Sequence, residues 1–123
     1  TSYADLFYSR AQRYSNTHSM LPFIESDRLK QYDGVEVCLL GIKVTAKEVT
    51  ASTGDIMSFY SFFDRKGIYE TVIFPDTYTQ YREILGLYTA FLVCGTVSYD
   101  RGAWSVIIHD IKVLSRLKKC LYE

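Results

Sequence analysis

Apolar positions along this chain follow two different periods. Up to residue 33 they recur at helical spacing, and from Gly34 onward they alternate in short runs separated by turn residues. Tyr3, Phe7, Ala11 and Tyr14 lie on one helical face, which predicts a short amphipathic helix over residues 4–14. The polar triplet Ser15, Asn16 and Thr17 predicts a break after it, and residues 25–32 predict another helical turn before the Asp33-Gly34 turn. Residues 35–47 are rich in β-branched side chains and read as a first strand, with Gly41 marking a bulge or sharp bend. A turn at residues 51–55, a strand at 56–63, a hairpin turn at 64–67 and a strand at 68–74 follow. Pro75 and Asp76 open a helix to about residue 85, with Tyr78, Tyr81 and Leu85 on one face. Residues 88–99 and 103–114 then form a last hairpin across Asp100, Arg101 and Gly102.

Three strands, a helix and two strands, with a long glycine-bent first strand, describe an all-β chain with one or two helices. The predicted architecture is a five-stranded Greek-key barrel of the OB-fold type, with its helix between strands three and four. SH3-like barrels usually lack a helix at that point, and ferredoxin-like folds need two. The chain divides into a partly helical N-terminal lead-in or linker segment (1–33), an OB-fold domain (34–114) and a C-terminal tail (115–123).

The second strand carries large aromatics on both faces. Alternation puts Ser58, Tyr60 and Phe62 on one side and Met57, Phe59, Ser61 and Phe63 on the other. A barrel strand needs only one apolar face, so the second requires a partner. One candidate partner is an unpaired base, since aromatic rings on strands two and three of OB folds form a stacking platform. The other is the protein itself: Phe59 and Phe63 would pack beneath the lead-in helix or against a neighbouring domain. On the third strand Tyr69, Thr71 and Ile73 match the Tyr60/Phe62 face and are the expected core. Glu70, Val72 and Phe74 share the opposite face, where Glu70 would repel phosphate but accept a hydrogen bond from a base amino group. Lys43 and Lys47 on the first strand, Arg65 and Lys66 in the hairpin turn and Arg101 in the last hairpin are candidates for backbone contact; ordinary solvated charges are the competing reading. Arg116, Lys118 and Lys119 form a further cluster near the C-terminus.

Composition narrows the classes. Length 123, 48% hydrophobic and 23% charged residues suit one ordered domain, and 11 tyrosines favour half-exposed binding surfaces. No apolar run spans a bilayer and no signal peptide is visible at the N-terminus, so no membrane partner is expected. Cys38 and Cys94 lie in apolar runs and, with Cys120, read as free thiols in a reducing cytoplasm. Without a CxxC, and with His18 and His109 standing alone, neither metal nor other cofactor is expected. Zero net charge argues for weak, tethered nucleic-acid binding rather than autonomous binding. The start at Thr1 suggests a fragment of a longer protein.

Met57 and Phe59, then Asp64 and Gly67, Phe74-Pro75, Tyr78 and Tyr81, and Val93, Gly95 and Val97 form a pattern that resembles the C-terminal OB domain of the bacterial DNA polymerase III α subunit. The resemblance covers about residues 34–114. It implies a module that holds single-stranded template DNA near the polymerase, with other polymerase or replisome domains as partners. By analogy with anticodon-binding OB domains of aminoacyl-tRNA synthetases, which share the Asp-x-x-Gly turn, Phe59 matches a base-stacking phenylalanine. The first turn departs from the polymerase pattern, since residues 51–55 carry no lysine. The resulting candidate nucleic-acid-binding set is Phe59, Phe63, Ser61, Met57, Val72, Lys43, Lys47, Arg65 and Arg101. Asp64, Glu70 and Asp76 form no metal-holding carboxylate pair, and no phosphate loop or nucleophile constellation is present, so the isolated chain is expected to be catalytically silent. The alternatives are an OB domain that docks replisome proteins and a tRNA anticodon-binding module.

Overall fold

The computed structural model of the chain describes residues 3–114. Helix α1 (Tyr3–His18) and a 3-10 helix (Ser26–Tyr32) precede strands β1 (Glu36–Thr50), β2 (Ile56–Phe63) and β3 (Ile68–Ile73). Helix α2 (Pro75–Leu87) and strands β4 (Ala90–Asp100) and β5 (Ala103–Val113) complete the order. The five strands close a barrel in the order β1-β2-β3-β5-β4, antiparallel throughout except for the parallel β3–β5 contact. This is the five-stranded OB-type barrel with a helix between β3 and β4 that the strand order predicts.

The inner faces fill the barrel as alternation requires. Tyr60, Phe62, Tyr69, Ile73, Val37, Leu39 and Phe91 are buried together. Gly41 faces this interior, where a Cβ would stand 2.7 Å from Val93 Cγ2 and 2.9 Å from the Tyr69 hydroxyl. Its role is therefore close packing rather than the predicted bend. The bulge falls instead between Lys43 and Thr45, where the β1–β2 register shifts. The shift inverts the alternation of β1: Cys38, Leu40 and Ile42 point outward before it, and Thr45, Lys47 and Val49 after it. Buried Tyr69 donates its hydroxyl to the Leu40 carbonyl at 2.8 Å, and burial holds its phenol well above the ordinary range.

Helix α2 closes one end of the barrel. Pro75 sits in its first turn, where a missing N–H costs nothing, and Tyr78 and Leu85 are its buried face. The Tyr78 hydroxyl donates to Glu48, and this bond, aided by burial, pushes its pKa up to about 12. Tyr81 donates to Asp110 at 2.5 Å; burial first and then this carboxylate raise it to about 12.

Helix α1 runs through Ser15, Asn16 and Thr17 without the expected break. Ala4, Ala11 and Ser15 recur on one face and are buried, while Asn16 and Thr17 face solvent. These small residues let the helix lie close on the outer surface of β1 and β4, over Cys38, Leu40, Ile42, Leu92 and Cys94.

Under α1, Cys38 and Cys94 form a disulfide, correcting the expectation of two free thiols. They face one another in the β1–β4 register with Cα atoms 4.2 Å apart. The Cys38 N–H donates to the Pro22 carbonyl and its own carbonyl accepts from the Ile24 N–H. Both backbone groups point away from β4, so this is the closer, non-hydrogen-bonded type of antiparallel pair, whose side chains are near enough to bridge. Cys120, Arg116, Lys118 and Lys119 lie outside the described residues. Among the described residues no helix is long and apolar enough to cross a membrane.

Candidate functional site

The barrel's remaining outer wall carries the candidate residues. Register pairing aligns Lys47 on β1, Phe59 on β2, Val72 on β3 and Ile107 on β5 in one row. The adjoining row is Thr45, Ser61, Glu70 and Ser105, and Met57 pairs with Val49 on the far side. Directly opposed residues share a face, so these side chains form one continuous surface. At its middle Phe59 is 37% exposed, and Met57, Ser61 and Val72 are half-buried around it.

Phe63, on the same face of β2, has a different fate. It pairs with Ile42 and packs into the cluster beneath the N-terminal segment, with Phe7, Tyr8 and Phe23 as members. Of the two outward phenylalanines, Phe59 is the more open, and Phe63 is half-buried against the lead-in segment.

The four basic candidates also divide. Lys43 turns inward to the end of α2, where its Nζ donates to the Leu85 carbonyl and satisfies a group left open at the helix C-terminus. Arg65 is held by the lead-in: its Nε donates to Glu25 Oε2 at 2.8 Å, and its guanidinium lies 3.4 Å from the Tyr8 ring centre. The Glu25 hydrogen bond raises its pKa above the ordinary value. Neither of these two cations faces Phe59. Lys47 does, in the same row and exposed to solvent. Arg101 sits at the tip of the β4–β5 hairpin with its side chain 91% exposed and a φ of 54°. With Gly102 also at positive φ, this is a two-residue turn of the twist that hairpins favour. Asn or Gly would be more relaxed at that position than Arg.

Asp64 of the Asp-x-x-Gly turn is structural. It is buried, accepts from the Lys66 and Gly67 N–H groups, and binds both the N–H and hydroxyl of Ser26 at 2.7 Å. Two further features escape sequence reasoning. Ile107 joins the aromatic row only through the non-local β3–β5 pairing. Trp104 lines a groove of about 360 Å³ beside Glu70, together with Ile68, Tyr69 and Lys30, and meets the ring of exposed Tyr99 at a tilt of 51° with ring centres 4.5 Å apart. The alternation of Trp104, Val106 and Ile108 against Ser105 and Ile107 is the only local signal for either. Among the described residues no group of three or more His, Cys, Asp or Glu is placed to hold a metal ion.

No protein-family model matches the chain, and no curated protein matches it in sequence. Solved structures match its fold. Asparaginyl-tRNA synthetase from Pyrococcus horikoshii, complexed with asparaginyl-adenylate, aligns over 80% of this chain with a TM-score of 0.60 and 19% identity. This chain spans only 23% of that synthetase. The mitochondrial single-stranded DNA-binding protein Rim1 of S. cerevisiae aligns over 68% of this chain and 98% of its own, with a TM-score of 0.51 and 19% identity. A nucleic acid-binding lipoprotein, so described, from Klebsiella pneumoniae covers 94% of this chain and 100% of its own, at 0.55 and 12%. At these identities the likeness concerns architecture, and together with strand order and the β3–β4 helix it establishes that the chain is an OB fold.

Proposed function

We propose that this chain is a single-strand nucleic-acid-binding module, serving a replicative DNA polymerase and holding template DNA weakly near it. The observation that carries the proposal is Phe59: a large ring left open at the centre of the β2–β3 outer face, with Lys47 in the same row. The Met-x-Phe, Phe-Pro and Tyr-bearing helix pattern supports the polymerase setting. Stacking supplies about 1–3 kcal/mol per base, while a formal net charge of zero leaves little long-range attraction. The module therefore works where a larger assembly keeps the strand at hand. No catalytic step is assigned to it.

The same face serves a tRNA anticodon module equally well, a reading favoured by the synthetase fold match. Fluorescence anisotropy with labelled DNA and RNA oligomers of matched sequence separates the two. Tighter DNA binding is expected, and a Phe59→Ala chain should lose affinity about 5- to 150-fold. No binding by the parent chain at high micromolar concentration and low salt overturns the single-strand reading; a strong RNA preference moves it to the anticodon class. The setting has its own test. The Cys38–Cys94 bridge counts against a cytoplasmic polymerase: if it persists in protein isolated with thiols blocked, the module belongs to an oxidising compartment, and if the two cysteines are recovered as thiols, the polymerase setting stands.

A further inference from the structure

An acidic side chain stands on the open face beside the ring that would take a base. Glu70 is opposite Ser61 across β2–β3 and opposite Ser105 across β3–β5. Ser61 Oγ donates to Glu70 Oε1 at 2.6 Å, which orients the carboxylate along the face. The residue is exposed, and its ion-pairing capacity is not taken up by any salt bridge among the described residues. It also forms one edge of the groove walled by Ile68 and Trp104.

A carboxylate here works against a surface that merely follows phosphates. It is suited to base edges, because an ionised carboxylate only accepts hydrogen bonds. Phe59 and Glu70 are diagonal neighbours on one face, a relation that places residues about 7–8 Å apart. A base lying on the Phe59 ring thus presents its edge to Glu70.

We infer that the open face selects bases bearing an exocyclic amino group, cytosine above uracil or thymine, with Glu70 as the acceptor and Ser61 as its positioning residue. The inference rests on the single-strand reading and names what that site prefers. The cytosine N4 amino group donates to the carboxylate, whereas the uracil O4 sets one acceptor against another. Thymine fails for the same reason.

The test titrates the full chain against labelled oligo-dC and oligo-dU of equal length, near neutral pH and at low salt. Oligo-dC should bind roughly ten-fold tighter. Glu70→Gln should erase the preference, because its amide also donates to O4; circular dichroism confirms that the exposed substitution leaves the fold intact. Ser61→Ala should narrow the preference without removing binding. Equal affinities in the parent chain, or a preference that survives Glu70→Gln, overturn the selectivity while single-strand binding stands. Failure of both oligomers to bind overturns the single-strand reading, and this inference with it.

Discussion

The barrel has two outer walls built from similar strands and put to different ends. On one, the first halves of β1 and β4 turn Cys38, Leu40, Ile42 and Leu92 outward, and α1 covers them. On the other, Lys47, Phe59, Val72 and Ile107 are turned outward and no described element lies over Phe59. The boundary runs through β2 itself, between Phe59 and Phe63, two turns of the strand alternation apart. Outward aromatics thus do not declare their purpose by chemistry. Their purpose depends on where the lead-in helix comes to rest, and the β1 bulge sets that by ending the apolar outward run at Ile42 and beginning a polar one at Thr45.

The covered wall is the stabilising one, so the largest effect expected from disturbing either is loss of the Cys38–Cys94 bridge. Its partners are separated by 56 residues, and closing such a loop restricts the unfolded chain by about 4 kcal/mol. Denaturant unfolding with and without reductant should show a loss of that order. An unchanged midpoint would mean that packing alone holds this wall. Next in size is the contrast within β2. Phe63→Ala, in the covered cluster, should cost about 2–3 kcal/mol, whereas Phe59→Ala should change stability by no more than about 0.5 kcal/mol. Equal losses would erase the distinction between the covered ring and the open one. The smallest effect concerns the seam between the walls. Arg65→Ala removes the Glu25 pair and the Tyr8 contact, and should cost about 1 kcal/mol or less. Its oligonucleotide affinity should stay unchanged; a clear loss would return Arg65 to the binding face.

What could be read before folding follows the range of each signal. The bounds of β2 and the inward set Tyr60, Phe62, Tyr69 and Ile73 follow from two-residue alternation, which is local. The α2 start at Pro75 is local too. The continuation of α1 past Ser15 was hidden because a polar triplet looks like a break, while the face that matters consists of small residues, Ala4, Ala11 and Ser15. Gly41 drew the bulge to itself, although its function is to make room for Val93 and Tyr69, both far away in sequence. The disulfide and the partial covering of Phe63 depend on the β1–β4 register and on helix docking. Neither leaves a mark on neighbouring residues. The candidate cations show the same limit: Lys47 follows from alternation after the bulge, but the partners of Lys43 and Arg65 come from α2 and the lead-in.

The bridge also makes the middle of the chain a covalent ring. Residues 38–94 enclose most of β1, all of β2, β3 and α2, and hence the whole Phe59 row except Ile107. The exposed 51–55 turn lies inside that ring, and exposed loop tips are where proteases cut and insertions are tolerated. A single cut there would open the ring without releasing a fragment, so the two pieces would still migrate together until reduced. The turn flanking the open face is in this way free to vary in length and charge while the barrel stays tied.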